Sequence, residues 1–217
     1  AFWLGLWHLL RGEGALAAGW LARARGIVDD AGVDGPARGF LHMTASMEAL
    51  AGGDHARAVA LADAAAALGQ RCDDRDLWSL GSLTRGEALI SAGDVAAGMA
   101  VLDEVMVAAT VGELSPIPTG IVYCAVIDAC VHAYDLVRAA EWTRALSRWC
   151  EEQPDLVPFR GHCLVHRAQV FHARGDWERA ATEAAGAERL LTDPPHPARA
   201  AAALVLGELH RLRGSFD

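Results

Sequence analysis

Apolar, small and polar positions in this chain recur in blocks of about forty residues. The clearest markers are six short turns. They are RGEGALA at Gly12, GGDHARA at Gly53, AGDVAAG at Gly93, AYDLVRA at Tyr134, RGDWERA at Gly175 and RGSFD at Gly214, spaced 41, 40, 41, 41 and 39 residues apart. Five of the six carry glycine, and the next residue is Glu, Asp or Ser. Glycine ends one helix in a backbone conformation that other residues resist, and the acidic or Ser residue caps the next helix. Seven residues before each turn stand Gly5, Ser46, Gly86, Ile127, Ala168 and Gly207; five after stand Ala17, Ala58, Gly98, Ala139 and Ala180. Small residues at matched places on two antiparallel helices let the backbones approach closely. Each block therefore predicts helix, tight turn, helix.

Loops with Pro or Gly join the blocks: GVDGP (32–36), LSPIP (114–118), PDLVP (154–158) and TDPPHP (192–197). Proline suits the first turn of a helix and stops the preceding one from running on. The expectation is an all-α, right-handed superhelix of tandem hairpins forming one repeat domain over 1–217. Its hairpins fall roughly at 1–33, 36–72, 74–113, 116–153, 157–193 and 196–217, the last cut short.

The pattern of small residue, turn Gly-Asp and then Ala resembles the tetratricopeptide repeat. RAQVFHARGDWERAATEAA (167–185) carries it most fully, with Ala168, Phe171, Gly175, Asp176, Trp177 and Ala180 at the repeat's positions. The period departs from the usual one of about 34 residues, so each helix or loop here is longer. The segment 126–184 and GELHRLRGSFD (207–217) are similar to the helical-repeat region of large bacterial LuxR-type transcriptional regulators. That resemblance implies a non-catalytic sensor or interaction arm that binds a small effector or a partner protein. It also implies a parent chain with an ATPase module and a helix-turn-helix. A free-standing scaffold that binds peptide segments is the alternative.

Composition narrows the functions. Hydrophobic residues make up 53% of the 217, much of it alanine, with 6% aromatics; alanine favours helix because it loses no side-chain entropy there. Net charge is −9 with no basic block, so no direct nucleic-acid contact is expected. Lysine and asparagine are absent, as in proteins from GC-rich bacterial genomes, and a phosphate loop of the Walker type lacks its Lys here. Cys72, Cys124, Cys130, Cys150 and Cys163 form no C-x-x-C pair and read as reduced, cytoplasmic thiols. AFWLGLWHLL is only half the ~20 residues a membrane span needs. The missing initiator Met and the stop at RGSFD lead to the expectation of a larger parent protein.

In a repeat superhelix the first helix of each hairpin lines the inner surface, and its stripe falls thirteen, ten, six and three residues before the turn. That stripe predicts a groove that is apolar at Phe40, Met43, Met47 and Leu83, and polar from Glu87 onward through Cys124, Asp128, His162, His166, Gln169, Glu208 and Arg211. Adaptable Met surfaces suit loosely specified ligands, with a cationic or donor group near Glu87 and Asp128. The competing role for Phe40, Met43 and Met47 is to seal the N-terminal hairpins.

HCLVHRAQVFHARGDW (162–177) looks like a metal motif, but His172 lies about 120° around from His166. Zinc wants three or four converging ligands, so no metal or other cofactor is expected. No nucleophile motif or cofactor signature is present, so no enzyme is expected either. Glu141, Arg144 and Arg148 read as a solvated face. Trp20, Trp142, Trp149 and Trp177 read as hairpin core. Leu209, Leu212 and Phe216, without a full second helix, suggest a homodimer contact.

Overall fold

The computed structural model describes residues 1–32, 34–153, 157–192 and 196–214. Parts of PDLVP and TDPPHP, and Phe216, lie outside them. Every regular element described is an α-helix. The chain runs α1 (Phe2–Leu10), α2 (Gly14–Ala31), α3 (Pro36–Ala51), α4 (His55–Arg71), α5 (Arg75–Ser91) and α6 (Val95–Thr110). It continues through α7 (Pro116–His132), α8 (Leu136–Glu152), α9 (Val157–Ala173), α10 (Trp177–Leu190) and α11 (Arg199–Arg213). None of the described helices is long and apolar enough to cross a membrane.

The six turn positions share one backbone geometry. Gly12, Gly53, Gly93, Gly175 and Gly214 have φ between 70° and 94°, and Tyr134 takes the same left-handed conformation at φ 59°. In the first five turns the following residue donates its N–H to a carbonyl five back: Glu13 to His8, Asp54 to Ala49, Asp94 to Leu89, Asp135 to Cys130 and Asp176 to Phe171, each at 2.9 Å. These bonds satisfy carbonyls that a helix end leaves open. Asp54, Asp94 and Asp135 then cap the next helix, accepting from the N–H of Arg57, Ala97 and Arg138 at 3.1–3.2 Å. Glu13 and Asp176 bind side chains instead: His8 and Arg11 for the first, Arg179 for the second.

The matched small positions meet. The Ser46 hydroxyl donates to the Ala58 carbonyl at 2.7 Å. A β-carbon on Gly98 would stand 2.7 Å from the Gly86 carbonyl oxygen, and one on Gly86 would stand 2.5 Å from Leu102. Ala168 and Ala180 are both fully buried in one cluster. Close approach of the paired helices is therefore the reason these positions are small.

The chain divides into two compact units, Ala1–Val122 and Tyr123–Asp217, with α7 contributing to both. In the first, Leu77, Leu102, Val105 and Met106 are fully buried, and Phe40 stacks on Phe2 and Trp3 at ring centroid distances of 4.6 and 5.3 Å. In the second, Val165, Ala184, Ala187, Leu191, Val205 and Leu209 pack around the α9–α10–α11 seam. Leu209 is thus covered by its own unit, while Leu212 is exposed. Trp20, Trp142 and Trp149 are half-buried, and Trp177 is exposed. Trp177 is the first helical residue of α10, where a side chain leans back past the helix end.

Candidate functional site

α9 carries His162, His166 and Gln169 along one face of the helix, with His172 a further 60° around from Gln169. Cys124 and Asp128, one turn apart on α7, meet that face at His166. Glu208 and Arg211 pair with each other on α11, the helix that packs beside α10 in the same seam. His196 joins the α9 face from the loop before α11, its ring 4.8 Å from that of His162 and nearly perpendicular.

Two histidines on this face have opposite charge preferences. His166 is only 3% exposed. Burial disfavours its charged form, but the Asp128 carboxylate and the Cys124 side chain against it outweigh that cost and push its pKa up to about 10. Its Nδ1 stands 3.4 Å from the Asp128 carboxylate, an ion pair rather than a well-aligned hydrogen bond. His162 goes the other way: burial, then the charges of His166 and His196, lower its pKa to about 4. The row thus holds a cation at His166 and a neutral imidazole at His162, with ring centroids 6.2 Å apart. Farther along, Arg211 donates two hydrogen bonds to Glu208 at 2.9 and 2.7 Å; these, with its charge, hold the carboxyl below its ordinary range.

Several polar atoms of this row are buried without a protein hydrogen-bond partner: His162 Nδ1, Gln169 Oε1 and His172 Nε2. A buried polar atom left unmade costs about 1–3 kcal/mol, so three along one helix form a feature that water or a ligand would complete. No three His, Cys, Asp or Glu groups among the described residues converge to hold a metal. His132, one turn after Asp128 on α7, bonds back to the Asp128 carbonyl at 2.8 Å through Nδ1.

Comparison with known protein families, curated proteins and solved structures gives no match. The site therefore rests on its own geometry.

The residues expected at the apolar end are placed differently. Phe40, Met43 and Leu83 are buried core of the first unit, because an apolar stripe between packed hairpins closes on itself. Met47 is 39% exposed and Glu87 half-buried. Of the polar end, Cys124 and Asp128 lie against His166 with His162 beside it, while Glu208 and Arg211 pair with each other. Sequence reading set His172 aside on its angle from His166 and did not reach His196. His172 stands three residues before the Gly175 turn, at the stripe's last position, and that offset could have found it. His196 lies in a proline-rich loop with no periodicity to read.

Proposed function

We propose that this chain is the non-catalytic sensor or interaction arm of a LuxR-type transcriptional regulator. In this reading its tetratricopeptide-like hairpins wind as a right-handed superhelix, and the α9 row binds the effector or partner. The observation that carries the binding role is the set of buried polar atoms on α9 that no protein group satisfies. A core helix would be more stable with apolar side chains at Gln169 and His172. Polar groups retained there at a cost in stability fit a surface that waits for a hydrogen-bonding occupant.

The chemistry of that occupant follows from the row. An imidazolium at His166, a neutral imidazole at His162, an amide at Gln169 and the Glu208–Arg211 pair offer donors and acceptors in alternation. This suits a small polar effector or an extended peptide backbone. Binding would then alter how the arm packs on the ATPase and DNA-binding modules of the parent regulator. A parent chain with a phosphate loop upstream and a helix-turn-helix downstream supports the regulator; a parent without them supports a free-standing peptide scaffold. The binding role is tested by a thermal-shift screen of polar metabolites and peptides, since a ligand that binds only the folded arm raises its stability.

A further inference from the structure

The opposite flank of α9 carries a second feature. A cavity of about 470 Å³ opens among α8, α9 and α10, and five arginines line it: Arg144 and Arg148 from α8, Arg167 and Arg174 from α9, and Arg179 from α10. The chain as a whole has net charge −9, and these are five of its nineteen basic side chains. The clustering is thus a property of the fold and not of composition.

Local sequence explains how they converge. Ala139, Thr143, Leu146 and Cys150 form the buried stripe of α8, and Arg144 and Arg148, one turn apart, stand on its exposed side and reach the cleft with their long side chains. Arg167 and Arg174, two turns apart on α9, do the same for the α9 seam. Arg179 sits in the first turn of α10 and lies over the Phe171 ring at 4.9 Å. Two of the five are neutralised by carboxylates: Arg167 by Glu183 and Arg179 by Asp176. Arg144, Arg148 and Arg174 make no salt bridge among the described residues. The two hydroxyls in the wall turn inward to their own helix, Thr143 donating to the Ala139 carbonyl at 2.7 Å and Ser147 to the Thr143 carbonyl at 2.9 Å. Guanidinium groups are therefore the donors the cavity presents.

We propose that this cavity is a binding site for an organic diphosphate, held by Arg144, Arg148 and Arg174, with its organic portion against Val170 and Phe171. Planar guanidinium forks match phosphate oxygens two at a time. Three uncompensated positive charges face about three negative charges on a diphosphate monoester at neutral pH. The volume falls in the range of small-molecule sites, which favours a compact anion over an acidic peptide lying across the surface. The site is independent of the α9 histidine row, and its failure would leave the reading of that row untouched.

The test is calorimetric titration of the folded chain with inorganic pyrophosphate, then ADP and a short isoprenyl diphosphate, at low and moderate salt. Pyrophosphate should bind, more weakly as salt rises. Arg144→Gln, Arg148→Gln and Arg174→Gln should each weaken it by about tenfold. Arg148→Lys should fall between Arg148→Gln and the parent, because it keeps the charge and loses the fork. Arg57→Gln, on an exposed face of the first unit, should change nothing. The organic diphosphate that binds more tightly than pyrophosphate identifies the organic portion. Three results overturn the proposal: no binding of any diphosphate, equal binding by the triple glutamine variant with its thermal unfolding unchanged, or an acidic peptide that binds more tightly than all three diphosphates.

Discussion

Gly98 of α6 faces the Gly86 carbonyl of α5 so closely that a methyl group on Gly98 would stand 2.7 Å from that oxygen. Backbone meets backbone there, and neither helix can yield without opening the hairpin. Gly98→Ala should destabilise the protein by about 1–3 kcal/mol, although alanine is the better helix former. Gly19 and Gly26 of α2 have nothing within 4 Å of an added β-carbon. Replacing either with Ala should stabilise by about 0.5–1 kcal/mol. Denaturant unfolding of the three variants reads out both signs.

Tyr134 is the one repeat-turn position that is not glycine, and it holds the left-handed backbone at φ 59°. Its side chain is 88% exposed, so little packing would be lost with it. Tyr134→Gly should raise stability by about 1 kcal/mol, the cost of holding an L-residue in that conformation. A rise in the unfolding midpoint with an unchanged denaturant slope is the expected result.

His166 should still be protonated at pH 8, and His162 should be neutral at pH 6, by ring-proton NMR titration. Asp128→Asn should bring the His166 pKa down. The folded-state pKa of His166 lies above its unfolded value, so its contribution to stability is fully present below about pH 6.5 and lost as pH rises toward 10. Cys163 runs the other way. Its hydrogen bonds with Cys150 and Ser147 hold its thiol down to about 6, so its contribution grows as pH rises from there. The difference between the parent and Asp128→Asn isolates the His166 part, and that difference should shrink as pH rises.

Gln169 holds a buried amide oxygen that no protein group meets. Gln169→Leu should therefore make the unliganded protein more stable by about 1–2 kcal/mol. If Gln169 served packing alone, the change would be neutral or destabilising.

The helical hairpins were legible because a turn with one acceptable backbone geometry leaves a residue signature. Gly-Asp at three turns, Gly-Glu at Gly12 and even Tyr-Asp at 134–135 mark places where one helix ends left-handed and the next begins. The partners across the hairpins were legible for a related reason, since helices in close approach favour small side chains, with Ile127 the exception among the matched positions. Surface was harder to read. The stripe containing Phe40 and Met43 has the same spacing as the one containing His162 and Gln169, yet the first is buried and the second keeps polar atoms unmet. Periodicity gives a face but not what covers it. Arg144 and Arg148 read as a solvated pair on their own helix; only the packing of α9 and α10 beside them makes a cavity wall.

The most direct test of the binding role is the thermal-shift screen run in parallel on the parent chain and on the His162→Leu/Gln169→Leu double variant. At least one polar metabolite or peptide should raise the midpoint of the parent by several degrees and leave that of the double variant unmoved. Equal shifts in both proteins, or none in the parent across the whole library, would contradict a ligand site on α9.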